Sequence, residues 1–193
     1  MIIGLTGKYC AGKNYAASLF EKKGLPVLDV DKLGHPVLES EKEAIFSRFG
    51  EDLKKADGSL NRRLLGQRVF GKQEELAALE TIVHPPVNKM TEAWIDSQKG
   101  SCVINAALLH RSSVFNKLDK IIIITAPFLT RFLRAVKRDK LQFKEILKRF
   151  SSQNNFYAQY LSVNAEIHRI GNLGFIDSKK LSRSIDKIIE GIN

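Results

Sequence analysis

The chain has 193 residues, of which 44% are hydrophobic and 27% are charged, and its net charge at pH 7 is +10. This composition predicts a globular protein with one substantial core, and no apolar run approaches the ~20 residues that span a bilayer. Cys10 and Cys102 form neither a disulfide framework nor a zinc site. The first residues already read as a strand, so we expect no cleavable signal and a cytoplasmic location.

The excess of basic residues, 31 Lys and Arg against 21 Asp and Glu, is typical of two kinds of partner. One is nucleic acid, and the other is a small molecule that carries several phosphates. The basic residues are dispersed through predicted helices, without a Lys/Arg run or a basic strand interleaved with aromatic residues. We therefore expect phosphorylated small molecules and neither nucleic acid nor membrane; an ATPase acting on nucleic acid is the alternative, and it requires salt-sensitive binding.

A glycine-bounded loop near the N-terminus carries the clearest chemical signal. Residues 1–6 read as a buried strand, and residues 15–23 have apolar side chains at helical spacing. The sequence between them has the spacing of a phosphate-binding P-loop, with loop amides and a helix start facing the anion. The predicted nucleotide-binding residues are Gly7, Lys8, Tyr9, Cys10, Ala11, Gly12, Lys13, Asn14 and Tyr15.

Three positions of this loop have more specific expectations. Gly7 is expected to allow a sharp turn, and Gly12 to let the backbone approach a phosphate closely. Asn14 stands where the motif has a Ser or Thr that binds Mg²⁺. An amide oxygen is a suitable hard ligand, so Asn14 is the candidate metal ligand, although its longer side chain lies differently. A strand–helix turn that binds nothing is the alternative, and Cys10 is either a redox switch or a small-residue filler.

Residues 27–31 read as a second short strand that ends in Asp29 and Asp31. Strand, helix and strand within about thirty residues predict a parallel sheet, in which ligands bind beyond the carboxyl ends of the strands. The alternation of side chains along a strand would place both aspartates on one side, beside the P-loop. Alternatively, Asp31 caps a helix that begins at Lys32.

The remainder of the chain reads as helices followed by strands alternating with helices. Apolar stripes predict helices over 42–49, 62–70, 73–82 and 87–98, and His84-Pro85-Pro86 predicts a helix start or a sharp bend. Strands are predicted over 101–105, 120–125 and 165–170, and helices over 127–138, 142–153 and 178–189. The predicted fold is α/β, with a parallel five-stranded sheet in three layers.

Several segments, in one order, resemble the dephospho-coenzyme A kinase family, which has a nucleoside-monophosphate-kinase-like P-loop fold. Their order and spacing carry the likeness, because only the P-loop is specific alone. They are Gly4-Leu5-Thr6-Gly7, Asp29-Val30-Asp31, the sequence DGSLNRRLL over 57–65, the sequence LETIVHP over 79–85, Arg134, Arg138-Asp139 and Asn172-Leu173-Gly174.

The resemblance implies transfer of the ATP γ-phosphoryl group to the ribose 3′-hydroxyl of dephospho-coenzyme A, with ATP and Mg²⁺ as cofactors. It implies that Lys13 neutralises the transferring charge and that Asp31 accepts the hydroxyl proton, with Asp29 as the substitute. Arg134 and Arg138, four residues apart on one helix face, would close over ATP as a lid.

The resemblance also implies an acceptor site formed by Asp29, Asp31, Arg62, Arg63, His84 and Leu108. Arg62 and Arg63 are alternatively a solvated helix face, and His84 is alternatively a capping residue. The implied domains are a kinase core over 1–34 and 100–193, with a lid at about 134–155, and a helical acceptor-binding insertion over 35–99. We expect a monomer.

The chain departs from the family pattern after the third strand. Asn105, Ala107 and Arg111 stand where the family has an acidic residue, a proline and a glutamate. Together with Asn14, this gives neutral amides at two positions expected near Mg²⁺. Three interpretations follow: a divergent but working kinase, a nucleotide-binding relative with weakened catalysis, or another P-loop nucleoside or nucleotide kinase. The presence of Lys13, Asp31 and both lid arginines favours the first.

Overall fold

The computed structural model describes residues 1–139, 141–153, 155–160, 163–173 and 178–191. Five parallel strands form one sheet in the order β2-β3-β1-β4-β5. They are β1 (Ile2–Gly7), β2 (Val27–Asp29), β3 (Cys102–Asn105), β4 (Lys120–Thr125) and β5 (Glu166–Gly171). The predicted parallel five-stranded sheet is confirmed.

Helices follow the strands and fill the connection between β2 and β3. The α-helices are α1 (Lys13–Lys22), α2 (Val30–Ser40), α3 (Lys42–Phe49), α4 (Arg62–Val69), α5 (Gln73–Asp96), α6 (Phe128–Asp139), α7 (Phe143–Ser151) and α8 (Ser178–Glu190). Short 3-10 helices lie at Glu51–Leu53, Leu109–Arg111, Phe115–Lys117 and Ala158–Tyr160. Within the described ranges, none of the helices has the length and apolar character of a membrane span.

The central strands β3, β1 and β4 are buried on both faces, as the middle of a parallel sheet between helices requires. Ile121, Ile122, Ile123 and Ile124 of β4 are all buried, which explains the uninterrupted isoleucine run. One core cluster joins β1 and β4 to the apolar sides of α1 and α8. This packing fixes the end of β1, and therefore the start of the P-loop.

The chain forms two compact units, and each has its own core. Met1–Asp29 and Ile95–Asn193 make the first, which contains the sheet; Val30–Trp94 make the second, which is helical. Ile45, Phe46 and Leu53 lie in the core of the second unit. The assignment of a kinase core, a lid and an acceptor-binding insertion to these segments stays a prediction, and residues 140 and 154 of the predicted lid lie outside the described residues.

The second strand is shorter than the sequence suggests, and Asp31 is not part of it. β2 ends at Asp29, and α2 begins at Val30 with Asp31 in its first turn. The predicted placement of both aspartates on one side of a strand is therefore wrong. A helix start at Lys32 is also wrong, by two residues. A carboxylate in a first helical turn is favourable because it faces the positive end of the helix dipole.

The predicted helix start at His84-Pro85-Pro86 is also wrong, because α5 continues through both prolines. Each proline removes one backbone donor, and such an interior position usually ends or kinks a helix. The helix nevertheless continues, since Leu79 and Ile82 before the prolines pack against the core of the second unit. Tertiary packing here outweighs a local propensity.

Candidate active site

The P-loop lies between β1 and α1, in the strand–loop–helix setting that the sequence predicts. Gly12 precedes α1 with φ 97° and ψ 28°, and its carbonyl accepts the first helical hydrogen bond, from the Ala16 amide at 3.1 Å. Amides in the first turn of a helix lack intrahelical acceptors, and Gly12 has no side chain to cap them. The start of α1 is therefore suited to binding an anion.

Both loop glycines are required by close contacts within the protein. Gly7 is the last residue of β1, and a Cβ there would lie 2.7 Å from the Ile124 carbonyl oxygen of the neighbouring strand. A Cβ on Gly12 would lie 2.1 Å from the Asn172 side-chain nitrogen. Gly12 also adopts the left-handed region that L-residues disfavour, as does Cys10 with φ 59°.

Side chains from outside the loop hold its carbonyl groups. Arg134 on α6 donates from Nη1 to the carbonyls of Cys10 at 3.3 Å and Ala11 at 3.1 Å, and from Nη2 to the Asn172 carbonyl at 3.2 Å. Asn172, which follows β5, donates to the Ala11 carbonyl at 2.9 Å. Arg131 donates to the Tyr9 carbonyl at 3.4 Å. Three successive carbonyls are thus fixed on one side of the loop.

Two loop amides donate hydrogen bonds within the protein, so fewer of the predicted nucleotide-binding residues have an amide available for phosphate. The Tyr9 amide donates to Gln153 Oε1 at 2.6 Å, and the Ala11 amide donates to the Lys8 carbonyl at 2.9 Å. These bonds leave the start of α1 as the better-placed source of donors. The Gly174 of the predicted Asn-x-Gly segment lies outside the described residues.

Asp139, at the end of α6, is the centre of a charged cluster beside the loop. Its carboxylate accepts from Arg138 Nε at 2.5 Å, from Arg149 Nη1 at 3.4 Å and from the Tyr9 hydroxyl. The hydrogen bond from Arg138 is the main cause that lowers the pKa of Asp139 to about 2. Burial and the bond to Asp139 raise the pKa of Tyr9, which stays a neutral donor.

Side-chain oxygen atoms of Asp29 and Asn105 lie at the carboxyl ends of β2 and β3. Asp29 and Asn105 are partners in the sheet register. The Asn105 side chain, only 1% exposed, donates from Nδ2 to Asn14 Oδ1 at 3.3 Å. Asn105 Oδ1 is buried without a hydrogen-bond partner among the described residues, and Asp29 Oδ1 is also buried. Such a buried acceptor is costly unless a ligand or an ion satisfies it.

The remaining predicted site residues divide between the two units. Lys13 starts α1 in the first unit, where Tyr15 and Leu108 are exposed. The residues that belong to the second unit are the exposed Asp31, Arg62 and Arg63 and the half-buried His84. Arg138 is 60% exposed although it pairs with Asp139.

A sequence model of the dephospho-CoA kinase family matches residues 1–167. The chain belongs to this family. Its curated relatives include the dephospho-CoA kinase of Halalkalibacterium halodurans, 33% identical with 90% of each chain covered. That of Treponema pallidum is 31% identical, with 97% of this chain and 93% of the relative covered. The solved structure of the dephospho-CoA kinase from Campylobacter jejuni superposes with a TM-score of 0.70 at 25% identity, covering 98% of each chain.

These findings confirm the resemblance and the P-loop kinase fold that the sequence predicts, whereas the roles of individual residues stay predictions. Arg131 and Gln153, which both contact the loop, were not singled out from the sequence. Arg131 lies three residues before Arg134 on α6 and thus on a shared helix face, a spacing that was available in the sequence. Gln153, which binds the Tyr9 amide, has no local signal, because the contact joins segments 144 positions apart.

The low pKa of Asp139 predicts a specific acid sensitivity. A carboxylate whose pKa is lowered on folding stabilises the protein above its unfolded pKa, near 4, and this contribution is lost as the pH falls towards about 2. A shift of this size corresponds to about 2 kcal/mol. We expect Asp139→Asn to flatten the fall in the free energy of unfolding between pH 5 and pH 2, measured by urea titration.

The matched control is Asp96→Asn, at an exposed aspartate of α5. This variant should follow the wild-type pH profile. Other carboxylates also protonate between pH 5 and pH 2, but they are the same in both variants, so the comparison isolates the contribution of Asp139. An Asp139→Asn profile parallel to that of Asp96→Asn would contradict the assignment.

Proposed function

We propose that this chain transfers the γ-phosphoryl group of ATP to the ribose 3′-hydroxyl of dephospho-coenzyme A, giving coenzyme A and ADP. This is the last step of coenzyme A biosynthesis. The observation that carries the proposal is the P-loop of residues 7–13, with its carbonyls held by α6 and Asn172, in a chain that belongs to the dephospho-CoA kinase family.

In this proposal the start of α1 binds the ATP phosphates. The amides that follow Gly12, together with the positive end of the helix dipole, would face the phosphate oxygens. Lys13 would contact the terminal phosphates and neutralise the charge that spreads over the transferring group. The loop contacts of Arg134 would keep these donors aligned before ATP arrives, which lowers the cost of reorganisation in the transition state.

Dephospho-coenzyme A would supply the acceptor hydroxyl, and an aspartate of the protein would act as its base. Asp31, exposed in the first turn of α2, would accept the proton from the 3′-hydroxyl, with Asp29 as the substitute. Arg62 and Arg63, exposed at the start of α4, would bind the acceptor's diphosphate as cations. His84 and Leu108 would line the acceptor site, and Arg138 would close over the reacting phosphates to exclude water.

The oxygen atoms of Asn14, Asn105 and Asp29 fit a Mg²⁺ ion that enters with ATP. Mg²⁺ takes oxygen ligands and keeps water and phosphate oxygens among them, and the buried acceptor Asn105 Oδ1 is available for direct or water-mediated contact. When bound, the ion would neutralise part of the negative charge of the ATP phosphates. Asn14 is the proposed first ligand, and Asn105 orients it through their 3.3 Å hydrogen bond.

This metal assignment predicts an effect of charge at position 105. Asn105→Asp places a carboxylate where a neutral amide would face the cation, so the ratio of nucleotide affinities with and without Mg²⁺ should rise about tenfold. Asn14→Ser should raise it less, since a hydroxyl remains neutral. Calorimetric titration with ADP in Mg²⁺ and in EDTA measures this ratio without relying on turnover.

Asn116→Asp, at an exposed position in the 3-10 helix Phe115–Lys117, is the matched control for the added charge. The ratio of its nucleotide affinities with and without Mg²⁺ should equal that of the wild type. If Asn105→Asp also leaves the ratio unchanged, the metal is not bound at this edge of the sheet. Slow wild-type turnover that increases in Asn105→Asp would instead favour the second candidate function, a nucleotide-binding relative with weakened catalysis.

Competition between acceptors tests the proposed function against other P-loop kinases. We expect ADP release from Mg-ATP to depend on dephospho-coenzyme A, with a kcat/KM at least about a hundredfold above those for adenosine and AMP. A preference for a nucleoside or nucleotide acceptor would overturn the proposal. We also propose a cytoplasmic monomer; light scattering after size exclusion tests the oligomeric state.

A further inference from the structure

Arg131 is a buried cation directly behind the P-loop. The residue is 9% exposed, and its side chain donates from Nη1 to the Tyr9 carbonyl at 3.4 Å, with the guanidinium carbon 4.8 Å from the centre of the Phe150 ring. Its Nε is buried without a hydrogen-bond partner among the described residues. The Arg131 guanidinium thus contacts one backbone carbonyl, that of Tyr9, and one aromatic ring, that of Phe150.

The charge of Arg131 is not balanced inside the described part of the molecule. The carboxylate of Asp139, two turns further along α6, is bound by Arg138, Arg149 and Tyr9. Lys8 of the P-loop adds to the positive charge, and its amino group lies 4.7 Å from the centre of the Tyr157 ring. Burial and the nearby Arg131 charge lower the pKa of Lys8, while burial lowers the pKa of Arg131.

A buried cation without a counter-ion is costly, and a neutral side chain at this position would avoid that cost. The charge itself therefore needs an explanation. An anion bound at the P-loop would supply the missing counter-ion, because the Tyr9 carbonyl that Arg131 holds belongs to that loop.

We infer that Arg131 is a positioning residue of the nucleotide site, which holds the P-loop through the Tyr9 carbonyl and is balanced electrically by the polyphosphate of the nucleoside triphosphate. This inference rests on the nucleotide binding of the proposed function. Arg131 contributes to the affinity for ATP in two ways: it holds the loop in position, and its own positive charge attracts the polyphosphate. The acceptor site does not depend on it.

Two substitutions separate charge from hydrogen bonding. Arg131→Gln removes the charge and keeps a donor for the Tyr9 carbonyl, whereas Arg131→Lys keeps the charge and loses the planar stack on Phe150. Arg183→Gln, at an exposed arginine of α8, is the control for the change in net charge. Calorimetric titration with ATP in EDTA gives the dissociation constant, and a melting curve without nucleotide reports the stability of each variant.

We expect Arg131→Gln to weaken ATP binding about tenfold, with a melting temperature at or above that of the wild type. Arg131→Lys should stay within about threefold of the wild type, and Arg183→Gln should match it. In steady-state kinetics, the KM for ATP should rise in Arg131→Gln while the KM for dephospho-coenzyme A is unchanged.

A merely structural role predicts the opposite pattern: a lower melting temperature in Arg131→Gln with an unchanged ATP dissociation constant. That result, or an equal loss of binding in Arg131→Lys and Arg131→Gln, would overturn the inference. The binding measurements distinguish this failure from a failure of the proposed function, in which the wild type binds ATP but forms no coenzyme A.

Discussion

Lys13→Ala is expected to reduce coenzyme A formation by about a thousandfold or more, because in the proposed function the Lys13 ammonium neutralises the negative charge of the transferring phosphoryl group. Lys13 is the first residue of α1 and follows the left-handed Gly12 directly. Its effect should appear mainly in kcat, since charge on the phosphoryl oxygens develops in the transition state. A coupled assay with Mg-ATP and dephospho-coenzyme A measures both constants.

Lys22→Ala in the last turn of the same helix is the matched control. It removes an equal charge from α1 at an exposed position and should leave kcat within about twofold. A Lys13→Ala protein that is folded and retains more than about a tenth of the wild-type kcat would contradict the role proposed for Lys13.

Gly12→Ala is expected to cause the largest loss of stability, about 3 kcal/mol. A left-handed conformation costs an alanine about 1–2 kcal/mol. The new Cβ would also lie 2.1 Å from the Asn172 side-chain nitrogen, and such overpacking costs about 1–3 kcal/mol. Displacing Asn172 would break its bond to the Ala11 carbonyl, so nucleotide affinity should fall at least about tenfold.

Gly24→Ala separates the two causes, because Gly24 has φ 87° but nothing lies within 4 Å of its added Cβ. It should lose only about 1 kcal/mol and bind nucleotide normally. Urea unfolding gives the free energies, and titration with ADP gives the affinities. Equal losses in both variants would show that the contact with Asn172 does not matter.

Strong and continuous local patterns gave the most accurate structural predictions. The isoleucine run of residues 120–125 coincides with β4, and the apolar stripe of residues 42–49 coincides with α3. Both segments have one apolar pattern from end to end, and both are buried along it. The glycine and lysine spacing between β1 and α1 predicts the P-loop for the same reason, since the motif is contiguous.

Boundaries decided by competing local signals were less predictable. β2 has three residues, and the transition to α2 places Asp31 in a helical turn. The apolar–acidic alternation of residues 27–31 suits a strand, but a carboxylate also suits the first turn of a helix. Pro85 and Pro86 indicate a break locally, while the packing of the preceding turns keeps α5 continuous.

The support of the P-loop was the least predictable part of the candidate site. Its carbonyls and amides are held by Arg131, Arg134, Gln153 and Asn172, more than 120 positions away along the chain. No local pattern reports such contacts, although α6 carries its basic residues at helical spacing. Arg134 was expected to close over ATP, and its hydrogen bonds to the loop carbonyls were not predicted.

The most direct test of the proposed function is the identity of the product that the wild-type protein makes from Mg-ATP and dephospho-coenzyme A. We predict a single product with one added phosphoryl group on the ribose 3′-oxygen, identified by mass spectrometry and phosphorus NMR. An acceptor that lacks the 3′-hydroxyl should give no product. Absence of coenzyme A with the intact acceptor, or phosphorylation of the 3′-deoxy acceptor, would contradict the proposal.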